Sequence, residues 1–116
     1  MTTIKEITRT TELLSLLANN SKNYTCIFFY EPNIPGSENE SDRLAPRMAA
    51  FANIYGAKIH FCKINKNVAQ GIGTPNFKAT SYPTVALYGS TKLIRAIEGN
   101  YPDNLIKPLL EQYYSR

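Results

Sequence analysis

Apolar and polar residues follow one another along the first part of the chain in patterns that predict a strand, a helix and a second strand. Residues 4–8, IKEIT, alternate as a half-buried strand does. Residues 13–17 place leucines at helical spacing, and Thr10 or Thr11 can cap that helix. Residues 25–30, TCIFFY, are almost wholly apolar, which is typical of a strand covered on both faces. This strand is therefore expected to be central.

A long amphipathic helix is predicted next. Asn39 or Ser41 can cap its start, and Gly56 follows its expected end at Tyr55. Residues 58–64, KIHFCKI, then form a further strand. Because a helix connects this strand to the central one, the two are expected to be parallel neighbours with a right-handed crossover.

The second half of the chain predicts a hairpin and a closing helix. Residues 65–83 hold two glycines and two prolines, so at most a short, irregular helix fits there. Residues 84–88 and 93–98 are strands close enough to form an antiparallel hairpin, and an amphipathic helix follows Asp103. The order βαβαβ and then ββα predicts a single α/β domain over residues 1–116.

Charge and hydropathy narrow the class of partner. The net charge is +4, but the basic residues are scattered and form no run, so nucleic acid is not the expected partner. The N-terminal residues do not have the pattern of a signal peptide, and no apolar run reaches membrane-spanning length. We therefore expect a cytoplasmic protein without a membrane span.

Several short segments, by their order and spacing, resemble the thioredoxin family. Residues 81–84, SYPT, look like the family's approach to its cis-proline, with Pro83 in the proline position. The family's other landmarks are matched by residues 29–30 (end of the central strand), 44–46 (active-site helix with its proline), 62–65 (third strand) and Gly99. The resemblance implies a thioredoxin fold: a three-layer α/β/α arrangement with a central mixed five-stranded sheet and a cis peptide bond before Pro83.

The same resemblance identifies what is missing. The family carries a Cys-X-X-Cys pair at the N-terminus of its active-site helix, where the helix dipole and backbone N–H groups stabilise a thiolate. Residues 37–41, SENES, occupy that neighbourhood and cannot carry out thiol–disulfide exchange. The family's buried acid falls at Phe28, whereas its partner lysine is retained as Lys63. On this alignment Cys26 and Cys62 point to opposite sides of the sheet, and both are expected to be inert core residues.

Three further features are interpreted as structural. His60 lies two residues from Cys62 on one strand, where the pair cannot readily converge on a substrate. The acidic residues of the 31–42 loop lack the ligand order of a calcium loop and instead complement a helix dipole. Gly71-Ile72-Gly73 does not follow a strand directly and lacks the Lys-Ser/Thr signature of a phosphate loop. The sequence therefore predicts no metal site and no cofactor.

The remaining candidate is a peptide-binding groove. In the family, the residue before the cis-proline offers its backbone N–H and C=O to an extended polypeptide, which is recognition by strand-like pairing. The resemblance assigns this role to Tyr82; the other interpretation is that the cis bond only shapes the turn. The predicted groove residues are Pro32, Ile34, Pro35, Tyr82, Pro83 and Gly99.

We therefore predict a redox-inactive thioredoxin-like module, without catalytic residues, that binds another protein or an extended peptide. The alternative is a single-thiol enzyme acting in peroxide or glutathione chemistry through Cys62 or Cys26, which requires an exposed thiolate. A third possibility is nucleic-acid binding, which only the modest positive net charge supports.

Overall fold

Strands and helices alternate in the predicted order, with one short helix added before the hairpin. The structure is a computed structural model that describes residues 4–19, 22, 24–32, 35–36, 39–72, 74, 77–99 and 103–115. The strands are β1 (Lys5–Glu6), β2 (Tyr24–Tyr30), β3 (Ile59–Asn65), β4 (Thr84–Gly89) and β5 (Lys92–Glu98). The helices are α1 (Thr10–Asn19), α2 (Glu40–Tyr55), α3 (Lys66–Ala69) and α4 (Asp103–Tyr114).

The strands form one mixed five-stranded sheet in the order β1-β3-β2-β4-β5. β3 pairs in parallel with both β1 and β2, as β-α-β crossovers require. β4 pairs antiparallel with β2 and with β5, which is the predicted hairpin. The apolar strand β2 therefore lies at the centre of the sheet, and the prediction of its position is confirmed.

Helices cover both faces of this sheet, which gives the predicted three layers. On one face, α2 and α4 pack on a core that includes Phe28, Met48 and Leu110. On the other face, α1 packs on a second core, with Leu13 and Leu17 fully buried against the opposite sides of β2, β3 and β4. The alternation of side chains along β2 divides its residues between the two cores.

Two elements, β1 and α3, are short. β1 covers Lys5–Glu6 only, although the alternating pattern predicted residues 4–8. The chain nevertheless stays on the sheet at Ile7, which is fully buried and whose N–H donates to the Lys63 carbonyl at 2.9 Å. α3 has four residues, as expected from the glycines and prolines that follow it in the chain.

α2 begins at Glu40, with Asn39 as its N-cap, and ends at Tyr55 before Gly56. The earlier of the two predicted starts is therefore correct. Pro46 lies inside the helix, where it lacks the N–H that would bond to a preceding carbonyl. Of the helices described, none combines the length and apolar character that a bilayer crossing requires.

Candidate functional site

The N-terminus of α2 is closed by its own side chains. Asn39 Oδ1 accepts a hydrogen bond from the Asp42 backbone N–H at 2.8 Å, and Asp42 Oδ2 accepts one from the Asn39 N–H at 3.0 Å. This capping box satisfies N–H groups that the start of a helix otherwise leaves unpaired. The Asp42 carboxylate also complements the positive end of the helix dipole. The chemistry at this helix end is therefore that of a cap.

The same helix start holds the loop that follows β2. The Ser41 hydroxyl accepts a hydrogen bond from the Glu31 N–H at 2.8 Å, and Ser41 is only 2% exposed. The Asn39 side-chain amide donates to the carbonyls of Glu31 at 3.3 Å and of Pro32 at 3.1 Å. These two polar side chains, in the neighbourhood where the family carries its cysteines, thus form hydrogen bonds with the backbone of the preceding loop.

The loop side of the predicted groove is described in part. Pro32 is half-buried and Pro35 is exposed. Ile34 lies outside the described residues, as do Ser37 and Glu38. Their predicted roles therefore stay predictions.

The opposite side of the predicted groove is the turn that enters β4. The Tyr82–Pro83 peptide bond is cis, Pro83 is buried and Tyr82 is half-buried. The Thr84 hydroxyl donates to the Ser81 carbonyl at 2.7 Å, which closes the turn. Among the described residues, the backbone N–H and C=O of Tyr82 have no hydrogen-bond partner. A strand-like ligand could therefore pair with them.

The sheet brings Gly99 to this turn. Thr84 is in register with Glu98 of β5 and with Phe29 of β2. In antiparallel pairing the next residues along also face one another, so Gly99 lies beside Pro83. Gly99 has a φ of +81°, in the left-handed region that favours glycine. Of the predicted set, the structure thus brings together Tyr82, Pro83 and Gly99.

Lys66, the first residue of α3, is a site residue that sequence analysis missed. Its Nζ lies 2.9 Å from Glu31 Oε2 and 5.7 Å from the centre of the Tyr82 ring. The lysine therefore links the loop after β2 to the turn before β4. Its position directly after β3 was the available signal, because ligand sites in α/β sheets collect at the carboxyl ends of parallel strands.

The two cysteines are buried in different cores. Cys26 belongs to the core under α2 and α4, and Cys62 to the core under α1. Both are free, at 0% and 1% exposure respectively. Burial raises the pKa of the Cys26 thiol far above its usual value and raises the pKa of Cys62 to about 12. The prediction that the two thiols point to opposite faces of the sheet is confirmed.

The lysine retained from the family pattern has acquired another acidic partner. Lys63 Nζ lies 4.0 Å from Glu6 Oε1 and 5.6 Å from the centre of the Tyr30 ring, and the Tyr30 hydroxyl donates to Glu6 at 2.8 Å. Burial, and then Glu6, raise the pKa of Tyr30 to about 12. The carboxylate comes from β1 rather than from the central strand, and this cluster was not predicted from the sequence.

His60 is half-buried on β3, and its Nδ1 is buried without a hydrogen-bond partner among the described residues. Burial and the nearby charge of Lys22 lower the pKa of its imidazole. Within the described ranges, no three potential metal ligands lie together.

Comparison with solved structures places this architecture among known folds. No protein-family model matches the sequence, and no curated protein matches it. The chain is similar to a thioredoxin of Entamoeba histolytica at 23% identity, with a TM-score of 0.75 over 95% of this chain and 99% of that chain. Oxidised thioredoxin of Plasmodium falciparum is 21% identical, with a TM-score of 0.77 over 97% of this chain and 99% of that chain. A thioredoxin of Fasciola hepatica is 14% identical, with a TM-score of 0.78 over 94% of this chain and 98% of that chain.

The chain has the thioredoxin fold. At these identities the likeness shows the fold alone, so activity has to be argued from the site. In this thioredoxin fold the helix start that could activate a thiol carries a capping box, and both thiols lie in the cores.

Proposed function

We propose that this chain is a redox-inactive thioredoxin-fold module that binds another protein or an extended peptide, in the cytoplasm. The observation that carries the proposal is the closed N-terminus of α2, where Asn39 and Asp42 cap each other. A thiolate needs such a helix end, or an equivalent positive environment, to become a good nucleophile. The chain has no cysteine between Cys26 and Cys62, so none can occupy this position.

The burial of the two cysteines supports the absence of redox chemistry. Exchange requires a thiolate that reaches a disulfide sulfur, and a thiol with a raised pKa is almost wholly protonated near neutral pH. No observation favours the single-thiol alternative, because neither Cys26 nor Cys62 is exposed.

The turn at Tyr82 supports the binding half of the proposal. Its backbone N–H and C=O have no partner among the described residues, and the half-buried ring next to them offers an apolar surface. An extended peptide would pair with this backbone as an added strand does. We place Pro83 and Gly99 at the floor of the proposed groove and Pro32 and Pro35 on its other wall, to which the sequence prediction also assigned Ile34.

Two assays test the redox half of the proposal. We expect the purified protein to leave the rate of insulin reduction by dithiothreitol unchanged, with an active thioredoxin as the positive control. We also expect Cys26 and Cys62 to react with a thiol reagent at least about a hundredfold more slowly in the native protein than in denaturant, because the core must open first. Insulin reduction that disappears in a Cys26→Ala/Cys62→Ala variant would refute the proposal and favour the single-thiol enzyme.

The binding half is tested by NMR. A peptide that binds should shift the backbone amide resonances of Tyr82 and Gly99 more than those of the distant strand ends. Peptide binding that leaves both amides unmoved would place the interaction elsewhere.

A further inference from the structure

A cleft of about 390 Å³ lies beside the Tyr82 turn, on the side of α3. It runs between the start of α3 and the segment that leads to the cis peptide bond. Its lining residues are Glu31, Lys66, Gln70, Lys78, Ala79, Thr80, Ser81 and Tyr82. Most of these carry hydrogen-bond donors, so the cleft has the composition of a polar binding site rather than of a packing defect.

The charge in this cleft is not balanced. Lys66 Nζ is paired with Glu31 Oε2 at 2.9 Å. Among the described residues that line the cleft, Glu31 carries the only carboxylate. Lys78 is exposed and has no ionic or hydrogen-bond partner among the described residues. The Thr80 and Ser81 hydroxyls and the Gln70 amide add neutral donors without further positive charge. One positive charge therefore remains available to a ligand.

A second cleft adjoins the first and has apolar side chains among its lining residues. Its volume is about 270 Å³, and its apolar lining includes Phe29, Ile72 and Phe77. The two clefts share Gln70, Lys78 and Ala79, so Lys78 stands at the boundary between them. A ligand that carries a negative group and an apolar group close together would suit both clefts.

We propose that these two clefts recognise an acidic side chain of the bound peptide and an apolar side chain two residues away from it, with the carboxylate facing Lys78. The inference rests on the proposed function, because it assumes that an extended chain pairs with the Tyr82 backbone. On such a chain, residues two apart in sequence point to the same side and lie roughly 7 Å apart, which suits two adjoining clefts. The partner is therefore an acidic peptide segment rather than a basic or uncharged one.

The primary test is a selection of peptides. A displayed library of random linear peptides is selected against the full chain at low salt, and the binders are sequenced. We expect enrichment of Asp or Glu two residues away from an apolar residue. Binders without that enrichment would overturn this inference and leave the binding module intact, whereas a selection without any binder would overturn both.

A charge swap then tests the role of Lys78. Removing an exposed ion pair weakens binding by about fivefold at most, so the sharper variant is Lys78→Glu, for which we expect a larger loss of affinity for the selected acidic peptide. Replacing the acidic residue of that peptide by Lys should restore the affinity of Lys78→Glu. The matched control is Lys92→Glu, which makes the same charge change at the exposed start of β5.

The outcomes separate local recognition from general attraction. Equal losses in Lys78→Glu and Lys92→Glu, or no rescue by the Lys-containing peptide, would overturn the assignment of Lys78. Tighter binding of inorganic phosphate or of single-stranded oligonucleotide than of the acidic peptide, lost in Lys78→Glu, would also overturn it by showing that the cleft takes a phosphate.

Discussion

Phe28 and Lys63 are direct neighbours in the parallel pairing of β2 and β3. The resemblance to thioredoxins places an acid and its partner lysine at these two positions, and here the acid is an aromatic ring that is 3% exposed. The ring belongs to the core under α2 and α4, while Lys63 reaches Glu6 and Tyr30 instead. The sheet position that would handle protons has become part of the core.

Restoring the acid should therefore cost stability. We expect Phe28→Asp to lower the free energy of unfolding by at least about 3 kcal/mol, because it removes a buried ring and adds a charge to an apolar core. The control Phe28→Leu should lose less than about 1.5 kcal/mol, since it keeps an apolar side chain. Urea unfolding followed by circular dichroism measures both. Equal stability of the two variants would mean that Lys63 still accommodates a carboxylate at this position.

The cap of α2 should be a measurable source of stability. Asn39→Ala removes the cap acceptor and the two amide bonds to the loop, so we expect a loss of about 1–2 kcal/mol in urea unfolding. Asn39→Ser keeps a capping oxygen but loses the amide donors, so its free energy of unfolding should lie between those of Asn39→Ala and the wild type. Asn67→Ala, at an exposed position of α3, is the matched control and should change stability much less. A negligible effect of Asn39→Ala would show that the capping box does not hold the helix start.

His60 should make the protein less stable in acid. Its pKa is lowered from 6.5 in the folded state, mainly by burial, so the folded protein binds this proton less readily than the unfolded chain. The stability associated with the neutral imidazole is present above pH 6.5 and is lost as the pH falls through the lowered value. We expect the dependence of unfolding free energy on pH below 6.5 to be shallower in His60→Gln. A histidine resonance that titrates at or above 6.5 in NMR would contradict this prediction.

Ionisation of Tyr30 should lower the stability of the protein at alkaline pH. Its pKa is raised from 10.0 to about 12 in the folded state, so its contribution to stability is complete below pH 10 and is lost as the pH rises toward 12. Burial raises the pKa values of Tyr55 and Tyr88 to about 12 as well. We expect the fall in stability between pH 10 and 12 to be less steep in Tyr30→Phe than in the wild type. Ultraviolet titration should show one tyrosine fewer ionising near pH 12, and an unchanged titration would rule out this assignment.

The elements and the central position of β2 could be predicted from the sequence because apolar periodicity responds directly to burial. The opposite orientation of Cys26 and Cys62 followed from alternation along strands once the alignment was fixed. The Glu6–Lys63–Tyr30 cluster and the ion pair between Lys66 and Glu31 could not be predicted from the sequence. They join residues that are far apart in sequence, and the conformations of long polar side chains at a sheet end leave no periodic pattern.

The placement of the two sulfurs on opposite faces of one sheet has a consequence for where the protein can work. An internal bridge between Cys26 and Cys62 would require the β2–β3 pairing to be broken, so we expect mild oxidants to form no disulfide within the native chain. A binding surface supported by this sheet would keep the same shape and the same affinity as the redox potential of its surroundings rises and falls.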